Sequence, residues 1–293
     1  MRSHRHARAG WRGWVVFPLV MAAATAPGAT NIWDGDGPTG SWATNANWVG
    51  DAATFGFGND VEFYSAGANL ATVLGADRTF GFLYFNNGAD ANVAITGNTM
   101  FLTNGGIVLD QDAAGSHFIG STIHLQGDTT IALNSTNGGL LTIAAVRQTG
   151  NRTLTIDGGG TLLMTNTGAA PLIQVRNLVI TNGSTVRATA QGNLGDDSLT
   201  AYYVALGSTL DHNNNGGDVF RGLGGDGTVT NWRGDMALRP QETYTFRGAF
   251  YQGTAAVNVT LAPYDRSSAT DHNNIGNLGT QRFETAMNHT GQT

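Results

Sequence analysis

The chain has 293 residues, 41% of them hydrophobic and 12% charged, with 42 Gly, 6 Pro and no Cys. Glycine without a three-residue period excludes collagen, the absence of any Lys argues against a long solvated helix, and the apolar content excludes a composition-driven disordered chain. Residues 1–29 carry four Arg and no acid, which leaves 11 Arg against 21 acids and a net charge of −10 on the remainder, so neither nucleic acid nor an anionic membrane surface is an expected partner.

Chain order begins with an address. A basic stretch to Gly13 is followed by the apolar run Trp14 to Ala24 and then by small residues through Ala29, the three-part order of a secretory signal peptide. The apolar run is about half the ~20 residues of a transmembrane helix, so export rather than membrane spanning is expected. Cleavage after Ala24 or Ala26 fits the small-residue rule, with Pro27 arguing against the second, and the mature protein is expected to begin between residues 25 and 30. Without Cys, an exported chain must be held by hydrogen-bonded strands and packing.

Residues 30–60 are rich in Trp: Trp33, Trp42 and Trp48 lie within 16 positions. They read as an amino-terminal cap, because a stack of coils has to cover its open apolar end; a sugar-stacking platform is the other reading. From residue 61 onward, short β-branched runs alternate with Asn-Gly and Gly-Gly corners. Val93 to Thr96, Met100 to Thr103, Ser121 to Leu125, Thr130 to Leu133, Thr153 to Ile156, Thr161 to Met164 and Leu178 to Thr181 are strand signals closed by turn residues. No window shows a sustained 3.6-residue apolar period. Leu154 to Met164 and Leu178 to Ala188 are built alike, a strand, a Gly/Asn corner, then Thr and another strand. Thr161, Thr185 and Thr228 lie at intervals of 24 and 43. Spacing in the range of roughly 20–50 points to stacked coils rather than a sandwich or jelly roll. The expected fold is all-β, a right-handed single-stranded parallel β-helix over residues 61–293.

The same residues carry a family resemblance. Leu154-Thr155, Gly158 to Leu162, Val179 to Val186, Gly207 to Asp211 and Leu223 to Asn231 resemble the autotransporter-associated beta strand repeat, and residues 154–232 resemble an autotransporter passenger. The resemblance implies a secreted or cell-surface bacterial repeat protein with a structural or adhesive role and no catalysis. It implies outer-membrane association within a longer autotransporter, and glycans or host and cell-surface proteins as partners. A carbohydrate-active β-helix enzyme is the alternative. Gly279 to Thr293 resembles the start of a further repeat, so the chain reads as cut short and edge-to-edge self-association is expected at that end.

Candidate chemistry is sparse. Asp211-His-Asn-Asn214 recurs as Asp271-His-Asn-Asn274, 60 residues away, and reads as a corner turn rather than a shared metal site. The acidic glycine loops Asp34-Gly-Asp36, Asp196-Asp197 and Gly225-Asp226 lack the spacing of a calcium loop and read as solvated turns. Arg147, Arg152, Arg176 and Arg187 fall on neighbouring coils without an accompanying acidic cluster. Arg233-Gly-Asp235 is an expected coincidence in such a composition. No catalytic, cofactor-binding or metal-ligating residue is assigned, and no cofactor is expected.

Overall fold

A computed structural model describes residues 28–64, 68–86, 91–165, 173–189, 194, 200–213, 218–238, 242–261, 280–284 and 287–288. Residues 1–27 of the signal peptide reading lie outside these residues. Among them the protein is a β-solenoid of 24 strands, and the one helical element is a 3-10 turn at Asn45–Asn47. No helix there is long and apolar enough to cross a membrane.

Period-two alternation dictates the layers. In strands such as Asp60–Phe63, Thr153–Asp157, Thr161–Met164 and Asn177–Ile180, every second residue is buried and its neighbours face outward. One such strand buries one face only, so it is completed by stacking on the next coil rather than by folding back on itself. The first sheet, sheet A, has eleven strands in strict chain order from Thr30–Trp33 to Thr280–Phe283, and all its pairings are parallel. Its inward row begins Trp33, Phe63, Phe85, Leu109 and Leu133. The adjoining inward row continues Ile131, Ile156, Ile180 and Val204.

The second sheet, sheet B, has thirteen strands on its main path. Its long members bend across two sides of the coil. The first half of Ser116–Leu125 pairs with Ala94–Thr96, and its last residues pair with Met100–Leu102, which opens a third side. Leu140–Gln148 follows the same bend, with a register shift between Ile143 and Ala145. The row Thr161, Thr185, Thr209, Thr228 accounts for the irregular spacing in the sequence: the interval of 43 contains Thr209, giving steps of 24 and 19.

The corners before this row use buried Ser and positive-φ residues. Asn182 and Gly183 adopt φ of 52° and 79°, and Ser184 and Ser208 are fully buried. Ser184 Oγ accepts the Gly159 amide and Ser208 Oγ accepts the Gly183 amide, both at 3.1 Å. Each hydroxyl thus satisfies a turn amide of the preceding coil that no strand partner reaches.

Residues 30–60 form the first described coil of the stack. Thr30–Trp33 pairs in register with Asp60–Phe63. Between them Trp33, Trp42 and Trp48 are each at most 1% exposed. Trp48 stands edge-on to Trp33 at 4.9 Å and to Trp42 at 5.4 Å, and Phe55 and Phe63 extend the cluster. The indole donors are satisfied, Trp48 Nε1 by the Trp42 carbonyl and Trp42 Nε1 by Thr72 Oγ1. Buried Asn47 organises the loop by accepting the Gly37 amide and donating to the Thr39 and Ser41 carbonyls. With no ring face left exposed, these three residues offer no sugar platform.

Candidate functional site

The four arginines singled out in the sequence do not converge. Arg147 stands on the third side, in an outward row with Thr79, Phe101 and His124. Arg152 and Arg176 stack at the corner that enters sheet A, where the Arg176 amide donates to the Arg152 carbonyl. Arg187 faces outward from sheet B. Its Nε donates to Asp211 Oδ2 at 2.6 Å.

The Asp211 motif is a built corner. Asp211 is 4% exposed. Burial alone would raise its pKa, but hydrogen bonds from Asn231 and the Asn213 amide, with the Arg187 guanidinium, outweigh it and hold the carboxyl below the usual range. Asn213 turns the chain at φ 50°. His212 goes inward instead of outward, its ring 3.7 Å from the Trp232 ring centroid and 6.0 Å from that of Phe220. The second copy, at 271–274, lies outside the described residues, as does Asp196-Asp197.

The remaining acidic loops are also structural. Gly35, at φ 72°, packs against the Ala68 carbonyl, and Asp34 Oδ1 accepts the Asp36 amide. Asp226 lies 3.9 Å from Arg247. Among the described residues no group of three His, Asp or Glu is placed to hold a metal ion. Arg233, Gly234 and Asp235 run mid-strand, with Gly234 opposite Val257 and Asp235 opposite Asn258, rather than at the tip of a loop.

A different cluster forms where the coils around Gly222–Gly225 meet the following one. Arg176 Nη2 donates to Glu242 Oε1 at 2.7 Å across 66 residues of sequence, and the buried Arg221 guanidinium donates to the same oxygen. Tyr244 lies beside this carboxylate, its hydroxyl 3.4 Å from Oε2. Partial burial, reinforced by the Glu242 charge, raises the phenol well above its ordinary range.

Here the sheet A ladder thins. Gly222–Gly225 pairs with Ala201–Val204 at four positions but with Thr243–Phe246 only at Gly225 opposite Phe246. The side-chain amide of Gln281 fills the gap. It donates to the Leu223 carbonyl at 2.7 Å and accepts the Leu223 amide at 2.9 Å, acting as one residue of a missing strand.

The outward face of this strand has a second feature. Gly224 lies under Tyr203 of the preceding coil: a Cβ there would sit 3.4 Å from the ring. Gly222 lies against Tyr244 of the following coil, and a Cβ there would overlap the ring. The arrangement can stack a flat ligand and offer it paired donors and acceptors. Nothing in the local sequence couples Gly222, Gly224 and Gln281; the one available signal was the Gly-Leu-Gly-Gly run inside an otherwise β-branched repeat. No family model matches this chain, and comparison with curated proteins and with solved structures likewise finds no match.

Proposed function

We propose that this chain is an exported, cell-surface β-helical repeat protein of the autotransporter passenger type, with a structural or adhesive role. The observation that supports it best is the continuity of the stack. Parallel ladders run from Thr30 to Asn288, and among the described residues Arg176, Arg187, Arg221 and Arg247 are each paired with a carboxylate of the outer faces. Such a surface binds by area and repetition. Its expected partners are glycans or host and cell-surface proteins.

The test is expression of the full chain in a bacterial host with surface proteolysis, amino-terminal sequencing and an adhesion assay on the same cells. The expected result is a processed form beginning between residues 25 and 30, sensitive to added protease on intact cells, with increased adhesion. An unprocessed, protease-protected chain that still starts at Met1 would overturn it.

The alternative, a carbohydrate-active β-helix enzyme, has the Arg176, Arg221 and Glu242 cluster in its favour. That cluster holds a single carboxylate, shared by two guanidinium groups. Release of shortened or unsaturated saccharides by the purified chain would establish that reading in place of the first.

A further inference from the structure

We infer that the rings of Tyr203 and Tyr244, which cover the outer side of the buried strand Gly222–Gly225, form a binding site for a neutral oligosaccharide with the two rings as its stacking surfaces. The inference rests on the adhesive reading above and deepens it by naming the site and the ligand class. Tyr203 reaches forward from strand Ala201–Val204, and Tyr244 reaches back from Thr243–Phe246, so that both rings lie over one strand. Gly222 and Gly224 are two residues apart, which sets the rings roughly 7 Å from each other along the strand. Both positions lack side chains, and that is the condition for the rings to lie against the backbone. Tyr203 is 48% exposed, the property expected of a stacking platform and not of a core residue.

The rim decides between neutral and acidic ligands. At one end Arg176 and Arg221 both hold Glu242; at the other Arg247 lies between Glu284, at 2.8 Å, and Asp226. Three guanidinium groups thus face three carboxylates. Arg282 stands one row further along, beyond Thr245. A guanidinium beside a carboxylate presents donors and acceptors together, which suits vicinal hydroxyl groups. An anionic sugar would meet the acids as well as the bases. The half-buried outward ring of Tyr84, on strand Leu83–Phe85, differs in this respect, because it lies beside Asp60 and Glu62, whose charges add to burial in raising its phenol.

The test is calorimetric titration of the purified full chain with cellohexaose, laminarihexaose and mannohexaose as neutral probes and hexagalacturonate as the acidic one, at low and high salt. At least one neutral probe should bind, with little dependence on salt. Tyr203→Ala and Gly224→Val, the latter displacing the ring while keeping the tyrosine, should each weaken that binding by about tenfold or more. Tyr203→Phe should retain it. Tyr251→Ala, at an equally exposed tyrosine on sheet B, should change nothing. All variants are compared at matched circular dichroism and melting behaviour. Binding of none of the neutral probes, preference for hexagalacturonate, or unchanged affinity in both Tyr203→Ala and Gly224→Val would each overturn the inference. Adhesion by displayed cells without saccharide binding would leave the adhesive role standing and remove only this site. Saccharide binding by a chain that is never exported would do the reverse.

Discussion

At the residue scale, His117 shows what inward placement does to a titratable group. It is 1% exposed, stacked on Phe85 at 4.3 Å, with Nδ1 accepting the Val93 amide at 3.4 Å and Nε2 without a hydrogen-bond partner. Burial lowers its pKa to about 4, because a charged imidazolium there would lose its hydration with no acceptor to replace it. The folded pKa lies below the unfolded value near 6.5, so the unfolded chain binds the proton more tightly. The protein is therefore expected to lose stability as pH falls from about 6.5 to 4, by on the order of 3 kcal/mol from this group, with no further loss below 4. Denaturant midpoints measured across that window for the wild type and His117→Leu check this. The variant curve should lack the His117 component, and parallel curves would show that the ring titrates normally.

At the scale of the strand, the seam between Gly222–Gly225 and Thr243–Phe246 is the place where the ladder depends on a side chain. With one backbone pair remaining, the two hydrogen bonds from Gln281 hold Leu223, and Phe283 in the same strand as Gln281 packs its ring 6.4 Å from Phe246. Replacing Gln281 with Ala leaves the Leu223 amide and carbonyl without these partners, at a cost of about 1–3 kcal/mol for each group left unsatisfied. Hydrogen exchange should show the Leu223 amide accelerating by one or more orders of magnitude in Gln281→Ala, while amides of Thr153–Asp157 and Asn177–Ile180 keep their rates. Equal acceleration across all three strands would mean that the seam is not a local feature. The long strands Thr228–Leu238 and Ala249–Leu261 make the same point from the opposite side. They are paired along most of their lengths, so the Arg233-Gly-Asp235 tripeptide is held extended and does not present itself as a loop.

At the scale of the whole molecule, a solenoid is a row of nearest-neighbour contacts, and its ends govern its stability. The Trp33, Trp42 and Trp48 cluster fills the first described coil. Trp48→Ala removes a ring that is fully buried and touches both other indoles, a change expected to cost about 3–5 kcal/mol. Because the loss falls in the first described coil, the coils around it should fray first: thermal melting should shift down by several degrees, with exchange rising over residues 30–85 ahead of 154–188. A variant that melts like the wild type would show that the plug contributes little. How much of this was legible in advance follows from the range of the interactions concerned. Strand content, the solenoid class and the stacking of the Thr161 and Thr185 coils could be read from the chain, since alternation of two and Asn-Gly corners are local consequences of backbone geometry and turn chemistry. Trp burial could be anticipated on the same terms, because an open apolar end has to be covered. The fusion of residues 30–60 into the first coil, the dispersal of Arg147, Arg152, Arg176 and Arg187 over three sides, the inward turn of His212 and the meeting of Arg176, Arg221 and Glu242 were decided only by tertiary structure. Each depends on how many residues a corner takes up before the next strand begins. A single residue more or less there exchanges the inward and outward faces of everything that follows, and no local pattern in the sequence records that count.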